Sequence, residues 1–487
     1  MDSIIEGPDA DGLAALERQV HRDLSRLCYP SANWVPETTR SSGGPVQDVV
    51  IIGGGMCGLA ACFALLRAGI RNLRIVDRAV RGEEGPWVTY ARMETLRSPK
   101  QLTGPASGMA SLTFRAWYTA LYGNVAWEQL GKIPRPLWME YLSWYRDVLD
   151  LPVENETAIG AIIPDGDLLK LTLSGPGARD DEILTRRVVL ATGREGLGAP
   201  VIPDFMTGIP KTCWAHSADD INFNALKDKR VAVIGVGASA VDNAAEALEA
   251  GASEVRHLIR RKTMPQINKM MGIGCFGLVA GFPVLPDEWR WRYLHYNALA
   301  QTPAPRGSTL RVSRHPNASF HFGVEISRIQ RHGEGLTLTT TKDRNLDTDF
   351  IILGTGFNTD PLAQPVLDGY ADQITVWDDC YTPPVDEKNA ELARFPYLNK
   401  DFSFKERNPG AAPWLDRIHC FNYGSKLSLG NISGDIPAIS EGASWLAREM
   451  AARFYTEDIA HHWRYLQDYD KPELLGDEWT ASDLPEF

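Results

Sequence analysis

Glycine spacing gives the first chemical signal in this chain. Gly53, Gly55 and Gly58 follow the apolar stretch DVVII and open an apolar helical stretch. The first glycine of such a GxGxxG pattern permits a tight turn, the second lets the backbone approach a diphosphate, and the third lets helix and strand pack closely. Asp77 ends the next apolar stretch, where a carboxylate can accept both hydrogen bonds of a ribose diol. The spacing predicts a dinucleotide site, with a purely structural glycine turn as the alternative.

A second glycine loop, GVGASA, follows the apolar stretch VAVI. Alanine in the third position is an accepted variant of the pattern. The next predicted strand ends in arginines rather than in an acid, and a guanidinium binds a 2′-phosphate that a carboxylate would repel. A solvated basic strand end is the alternative. We expect NADPH here, bound by Gly235, Gly237, Ala238, Ser239, Ala240, Arg260 and Arg261.

Cysteine chemistry is the main rival to a simple dinucleotide-binding reading. The chain has seven scattered cysteines and no CxxC pair, which indicates free thiols in a reducing compartment. Cys57 and Cys62 have the four-residue gap found in flavoprotein disulfide reductases. They fall in the first glycine loop and its helix, where we expect buried, inert thiols. We find no convincing Ser-His-Asp triad, and we expect no metal.

The elements around both loops follow the order strand, glycine turn, helix, strand. This order predicts an α/β fold with two Rossmann-like dinucleotide-binding domains and a helical insertion. The periodicity also predicts helices at residues 12–27 and 132–149. The first loop lies near the N-terminus, where flavoproteins of this build place FAD. The expected division is an N-terminal helix and linker at 1–45, a discontinuous FAD-binding domain at 46–215 and 345–487, and an NADPH-binding domain at 216–344 with a helical lid at about 262–322.

Bulk composition limits the partners. Lys and Arg number 50 against 62 Asp and Glu, which gives a net charge of −12 and argues against a general nucleic-acid or anionic-membrane surface. The apolar run from Val49 to Ile70 is better explained by a strand, turn and helix than by a membrane span. The N-terminus lacks the pattern of a secretory signal, so we expect a cytoplasmic protein. A homodimer stays open, since the N-terminal helix could dock on a partner subunit.

The chain resembles the class B flavin-dependent monooxygenases. The resemblance rests on GGGMCG, GPW at 85–87, LATG at 190–193, GVGASA and LGTGF at 353–357. It implies FAD at the first loop, NADPH at the second, and transfer of one oxygen atom from O2 to a small substrate through a C4a-hydroperoxyflavin. That family carries an FxGxxxHxxxW element, of which this chain keeps only His216. The loss of the other positions makes the chain more similar to the N-hydroxylating branch and counts against Baeyer-Villiger chemistry.

The resemblance also implies site residues. The segment 85–105 would pass the flavin ring, and Asp435 would precede a helix whose N–H groups face the flavin, with an ordinary helix cap as the alternative. Thr355 and Gly356 would contact NADPH, while Arg97 and His216 are candidates for a chemical role and a backbone-satisfied hinge is the alternative for His216. The expected FAD contacts are Gly53, Gly55, Gly58, Asp77, Arg78, Trp87, Arg92, Met93, Thr95, Leu96 and Asp435.

The substrate is the least determined part. GPWVTYARMETLRSPK and residues 285–311 resemble the nitrosuccinate-forming L-aspartate N-monooxygenases, which implies N-hydroxylation of an amino acid. A dicarboxylate would need guanidinium forks, although lid-surface charges or NADP contacts are alternatives. S-oxygenation, Baeyer-Villiger oxidation and a non-catalytic NADP-binding flavoprotein stay open. The predicted substrate contacts are Lys100, Arg290, Arg292 and Arg306, with Arg311 and Arg314 as further members of the cluster.

Overall fold

The computed structural model describes residues 12–39, 44–194, 196–333 and 335–480. Residues 1–11 and 40–43 of the predicted N-terminal segment lie outside the described residues, as do residues 481–487 of the predicted FAD-binding domain. The α-helices are α1 Gly12–Arg26, α2 Met56–Arg67, α3 Phe114–Gln129, α4 Arg135–Val148, α5 Ala238–Glu249, α6 Phe276–Gly281, α7 Asp287–Ala300, α8 Arg306–Ser313, α9 Trp377–Cys380, α10 Ala390–Ala393, α11 Lys426–Leu429, α12 Ile439–Glu457 and α13 Ile459–Asp468.

The strands alternate with helices in both halves of the chain, which confirms the predicted α/β class. They are β1 Val46–Ile52, β2 Leu73–Val76, β3 Val153–Glu154, β4 Ala158–Asp165, β5 Leu168–Ser174, β6 Glu182–Leu190, β7 Trp214–His216, β8 Arg230–Ile234, β9 Glu254–Ile259, β10 Ala318–Phe322, β11 Ile326–His332, β12 Gly335–Thr340, β13 Asn345–Thr348, β14 Phe350–Leu353 and β15 Ile418–His419.

The first sheet carries the first glycine loop. Its strand order is β3-β2-β1-β6-β5-β4, and β15 pairs with the second half of β6. The strands β3, β2, β1, β6 and β15 run parallel, whereas β4 and β5 form an antiparallel extension. Helix α2 packs against α12, and both are buried in one large apolar cluster. The carboxyl ends of β1 and β6 therefore lie side by side, where open α/β sheets bind ligands.

The second sheet carries the second glycine loop. All its strands are parallel, in the order β10-β9-β8-β14-β7. A separate antiparallel sheet, β11-β12-β13, packs beside it. Our expected limits at 215/216 and 344/345 cut through these two sheets, because Trp214 and residues 345–353 pair within them. We therefore propose that the second nucleotide unit extends from Trp214 to Leu353.

Two predicted helical regions differ in their surroundings. Helix α1 buries Leu16, Val20 and Leu24, and it contacts α3 and α4 of its own chain. Its apolar side is thus used within the chain rather than left for a partner subunit. The predicted lid contains α6, α7 and α8, but its last five residues form β10 of the parallel sheet. In the part of the chain that the structure describes, no helix is long and apolar enough to cross a membrane.

Candidate functional site

The first glycine loop joins β1 to α2 in the predicted geometry. Gly53 has a φ of +108°, and a Cβ there would lie 2.5 Å from the Ala191 carbonyl oxygen. A Cβ on Gly58 would lie 1.8 Å from the Gly53 carbonyl oxygen, so helix and loop touch directly. Around Gly55, by contrast, a Cβ would find its nearest atom 3.9 Å away. The loop is closed toward the protein and open at its second glycine, which fits a diphosphate that approaches the backbone.

Asp77 is oriented by the same loop. The Gly54 amide donates to one carboxylate oxygen at 2.7 Å, and the Ala79 amide donates to the other at 2.8 Å. Burial raises the pKa of Asp77, while these two backbone hydrogen bonds act in the opposite direction. The neighbouring Arg78 is exposed. Each oxygen of Asp77 can accept a further hydrogen bond, and the predicted contact with a ribose stays a prediction.

The segment 85–105 starts beside the first glycine loop, where a Cβ on Gly55 would lie 3.9 Å from Gly85, and arginines elsewhere in the chain hold its backbone. Arg135 donates to the carbonyl oxygens of Trp87 and Met93, the latter at 3.0 Å. Arg311 donates to the Arg92 carbonyl oxygen at 3.1 Å. The desolvated Arg135 guanidinium has a lowered pKa. Sequence reasoning missed Arg135, because nothing in its local pattern separates it from an ordinary helix residue.

The side chains predicted for the flavin in this segment point in different directions. Trp87 packs edge-on against Trp138, and Leu96 is buried with its amide bonded to the Ile133 carbonyl oxygen. The Arg92 guanidinium lies 5.5 Å from the centre of the Phe223 ring, so it faces the second nucleotide unit. Met93 packs against the apolar cluster around α2, and Thr95 forms an isolated bridge with Pro134.

The second glycine loop repeats the first with one change. Gly235 has a φ of +135°, and a Cβ there would lie 2.3 Å from the Gly354 carbonyl oxygen. Gly237 has open space where its Cβ would be, and Ala238 and Ser239 begin α5. The third position, Ala240, is fully buried. This loop is also closed toward the protein and open at its second glycine, which fits a second dinucleotide.

The basic strand end contains two arginines in different situations. Arg261 donates to the Leu299 carbonyl oxygen at 2.9 Å and to Gln301 at 3.3 Å, so it anchors the lid. Arg260 is exposed and has no ion-pair partner among the described residues. Arg260 is therefore the more available of the two for a 2′-phosphate. Thr355 and Gly356 bond to Val201, which ties the LGTGF turn to residues 200–201.

His216 ends β7 and is satisfied by backbone. The Ala218 amide donates to its Nδ1 at 3.1 Å, and its Nε2 lies 3.1 Å from the Gly356 carbonyl oxygen. This pattern fixes the neutral Nε2–H tautomer, and burial lowers the pKa of the ring. Both nitrogens are thus occupied by structural bonds. A chemical role for His216 stays a prediction that this geometry does not favour.

Most predicted substrate cations are engaged elsewhere. Arg290 pairs with Asp287 and Arg292 pairs with Glu387 and Glu288. Lys100 is buried, and its ammonium group donates to the carbonyl oxygens of Trp127 and Glu128 at the end of α3 rather than facing the cleft.

Of the other lid arginines, one is held in ion pairs and two are exposed. Arg311 is buried against Glu246 and Glu249 at 2.9 and 2.6 Å. Arg314 bonds to the Leu310 carbonyl oxygen, and Arg306 is exposed at the start of α8. Three of the predicted lid arginines, Arg290, Arg292 and Arg311, are therefore held in ion pairs of the chain itself. Of the four predicted substrate contacts, Arg306 is the one with no partner among the described residues.

A charged group that the sequence did not reveal lies beyond the end of β6. Arg194 follows the LATG turn, and its guanidinium lies 4.9 Å from the centre of the Tyr423 ring. The Lys426 ammonium group lies 5.1 Å from the same ring centre. Arg194 and Lys426 both act electrostatically on Glu391 and Asp435, whose pKa values burial raises. These residues are distant in sequence, so no spacing pattern could have joined them.

Asp435 is close to the first glycine loop. Burial, and secondarily the Asp435 carboxylate, raises the pKa of the Cys57 thiol to about 12. Asp435 makes no side-chain hydrogen bond that would cap the helical turn after it, so the simple cap is not what its side chain does. The Asp435 carboxylate is thus within electrostatic reach of the first turn of α2, and its contact with the flavin stays a prediction.

Comparison with known proteins decides the family. The FAD-dependent urate hydroxylase of Xanthomonas campestris pv. campestris is 34% identical over 472 residues, which cover 96% of this chain and 98% of the relative. The chain belongs to this family of flavin-dependent monooxygenases. A family described as pyridine nucleotide-disulphide oxidoreductase matches residues 50–272, which contain both glycine loops. The expected resemblance and the expected enzyme class are confirmed.

Solved structures show that this flavin-dependent monooxygenase shares its fold with N-hydroxylases. The ornithine hydroxylase from Pseudomonas aeruginosa has a TM-score of 0.64 and 14% identity, covering 84% of this chain and 99% of that one. The ornithine N-hydroxylase of Kutzneria sp. 744, solved with reduced FAD and NADP+, has a TM-score of 0.62 and 17% identity, covering 84% and 100%. FAD is named for the urate hydroxylase, and FAD and NADP+ are named for the Kutzneria structure, in agreement with the predicted cofactors.

The name of the matched family mentions disulfide chemistry, but Cys57 and Cys62 are not suited to it. Cys57 and Cys62 are both free and buried within α2. Burial raises the pKa of both thiols, which suppresses the thiolate that disulfide exchange requires. The reading of these residues as inert thiols agrees with the structure.

Proposed function

We propose that the chain uses FAD and NADPH to hydroxylate a small, planar, nitrogen-containing anion of the urate class. The observation that carries the proposal is the 34% identity to a urate hydroxylase over 98% of its length. The balanced reaction is substrate–H plus O2, NADPH and H+, giving substrate–OH, NADP+ and water. Urate is the first substrate to test, because it is the one named for that relative.

The first glycine loop would hold FAD. The open side of Gly55 and the N-terminus of α2 offer backbone N–H groups and the positive end of the helix dipole to the diphosphate. Asp77 would bind the ribose. The segment 85–105, with its backbone fixed by Arg135 and Arg311, and Asp435 would form the wall around the ring. When bound, reduced FAD supplies the activated oxygen, and the chain supplies orientation and exclusion of water.

The second glycine loop would hold NADPH. Gly237 and the first turn of α5 would bind the diphosphate, and Arg260 would bind the 2′-phosphate. Arg97 lies between the two units: it donates to the Pro303 carbonyl oxygen of the lid, and it acts electrostatically with Asp242 on α5 and with Arg194. We assign Arg97 the role of linking the nicotinamide side to the flavin side of the cleft.

N-hydroxylation of L-aspartate is the alternative substrate prediction. The fold relatives that hydroxylate amino acids are below 20% identity, which supports the fold alone. Of the arginines predicted for a dicarboxylate, Arg290, Arg292 and Arg311 are paired with acids of this chain. These contacts favour the planar anion over the amino acid. S-oxygenation, Baeyer-Villiger chemistry, a cytoplasmic location and a homodimer stay predictions.

One experiment separates the candidates. The purified holoenzyme, with its flavin spectrum recorded, is mixed with NADPH and either urate or L-aspartate, and NADPH, hydrogen peroxide and product are quantified. Hydroxylated product from urate in proportion to NADPH supports the proposal. Product from L-aspartate alone restores the amino-acid prediction. A protein that binds no flavin under any condition contradicts both.

A further inference from the structure

The strongest unassigned feature of the molecule is the pair of cations beyond β6. Arg194 follows the LATG turn directly, and β6 lies beside β1 with Leu190 opposite Ile52. The residues after these two strands therefore share one edge of the sheet with the first glycine loop. Ligands of open α/β sheets bind at this edge. An exposed guanidinium at this edge is positioned to contact a substrate bound next to the cofactor.

Tyr423 orients both cations. The Arg194 guanidinium carbon lies 4.9 Å from the ring centre, so the ring orients the guanidinium, and none of the described residues accepts a hydrogen bond from its N–H edge. The Lys426 ammonium lies 5.1 Å from the same centre and 3.4 Å from the Tyr423 hydroxyl. The Tyr423 ring thus contacts two positive groups that lie near each other in space.

The platform under these cations is rigid. Asn422 donates to the Leu190 carbonyl oxygen and to the Thr192 hydroxyl, both at 3.1 Å, which ties residues 422–426 to the LATG turn. The Tyr423 amide donates to the Gly193 carbonyl oxygen at 3.3 Å. A Cβ on Gly424 would lie 2.5 Å from a Leu197 methyl carbon, so the two segments are in direct contact. The relative position of Arg194 and Lys426 is therefore built into the backbone.

In the described part of the chain, no ion pair neutralises the charges of Arg194 and Lys426. No carboxylate lies within 4 Å of Arg194 or Lys426 among the described residues, whereas Arg290, Arg292 and Arg311 are each paired. Glu391 and Asp435 act on both cations only from a longer distance. In a chain with a net charge of −12, two cations with no close acidic partner among the described residues offer a local site for an anion.

We infer that Arg194, stacked on Tyr423 and aided by Lys426, is the subsite that binds the anionic oxygens of a planar heteroaromatic substrate. The inference rests on the proposed function and adds the residues that select its substrate. The guanidinium edge can donate two parallel hydrogen bonds to an oxygen and a neighbouring ring nitrogen. Lys426 then adds a point charge next to the same oxyanion. Neutral analogues gain neither contact.

The test measures binding separately from turnover. Urate binding to the holoenzyme is followed by equilibrium dialysis for the wild type, Arg194→Gln, Arg194→Lys and Lys426→Gln. The matched control is Arg448→Gln, because the exposed Arg448 also lies over a half-buried aromatic ring, that of Trp445 at 5.3 Å, on α12. We expect at least a tenfold rise in Kd for Arg194→Gln, a smaller rise for Arg194→Lys and for Lys426→Gln, and no change for Arg448→Gln.

Each outcome decides one of the two proposals. A Kd for Arg194→Gln within twofold of a wild type that binds urate overturns the subsite. If the wild type does not bind urate, the Arg194 subsite is overturned as well. Hydroxylation of another substrate by that protein would still support the proposed monooxygenase activity. Urate that binds through Arg194 but yields no hydroxylated product leaves the subsite supported and refutes urate as the substrate. Flavin spectra and NADPH Kd values unchanged from wild type verify that each variant is folded.

Discussion

The methyl group of Ala240 fills the space that a side chain at Gly354 would need. A Cβ on Gly354 would lie 2.3 Å from the Ala240 Cβ and 2.6 Å from its Cα. The alanine that replaces the third glycine of the second loop is thus accommodated by a glycine more than a hundred residues later, in the LGTGF turn after β14. Loop and turn are one packed unit.

Gly354→Ala is expected to destabilise the second nucleotide unit. Overpacking of this kind costs about 1 to 3 kcal/mol of unfolding free energy. Combining it with Ala240→Gly should restore stability only in part, because the Ala240 Cα is also too close. Chemical denaturation measures the effect, with Gly131→Ala as the control, since a Cβ at Gly131 meets no atom within 4 Å. Equal stabilities of Gly354→Ala and the control would contradict the packing argument.

Gly237→Ala is expected to separate binding from stability. A Cβ at Gly237 meets no protein atom within 4 Å, so the fold should lose no more than about 1 kcal/mol, the scale of an N-cap change. The added methyl group would occupy the space through which a diphosphate approaches the backbone. We expect at least a tenfold rise in the Kd for NADPH with the flavin spectrum retained, measured by fluorescence titration. Unchanged NADPH affinity would remove the second loop as the NADPH site.

Arg260 is expected to set the preference for NADPH over NADH. Arg260→Ser removes an exposed guanidinium without breaking an ion pair of the described chain. The KM for NADPH should rise at least tenfold, while the KM for NADH stays within about twofold, because only NADPH carries the 2′-phosphate. Arg331→Gln, on the surface of β11, serves as the control. A parallel change for both nucleotides would point to a structural role instead.

His257 gives a pH-dependent contribution to stability. Burial lowers the pKa of this fully buried histidine on β9 to about 4, and its Nε2 lies 2.7 Å from the Gly235 carbonyl oxygen. The unfolded chain takes up a proton near pH 6.5 and the folded chain only near pH 4, so stability falls as the pH falls through this window, by about 3 kcal/mol in all.

The difference between wild type and His257→Gln isolates this contribution. Burial raises the pKa of Asp48 to about 7, so this residue makes the free energy of unfolding rise as the pH falls through the same window. Both proteins contain Asp48, so its contribution cancels in the difference between them. The stability advantage of the wild type should therefore shrink between pH 6.5 and pH 4 in urea denaturation. A constant difference across that range would show that His257 titrates normally in the folded protein.

The sequence predicted the two loops because their chemistry is local. Gly53, Gly58 and Asp77 lie within one βαβ unit, so period and spacing were enough. The Arg194–Tyr423 contact could not be predicted, because β15 brings a segment more than two hundred residues later beside β6. The ion pairs of the lid arginines could not be predicted for a related reason. Glu387, the partner of Arg292, and the α5 acids that pair with Arg311 come from other parts of the chain. Whether a charged side chain is free to bind a ligand depends on contacts between distant parts of the chain, which local sequence patterns do not show.

Cysteine substitutions test the last rival mechanism. Cys57→Ala and Cys62→Ala each remove a buried sulfur, so we expect a loss of about 1 to 2 kcal/mol in stability, because a small cavity is left in α2. NADPH oxidation with urate should stay within about twofold of wild type, because neither thiol is accessible and burial keeps both protonated. A disulfide reductase would lose all turnover in either variant, since its catalytic cycle passes through both sulfurs. Abolished turnover in a variant that still binds flavin would therefore replace oxygen transfer with disulfide chemistry as the function of the chain.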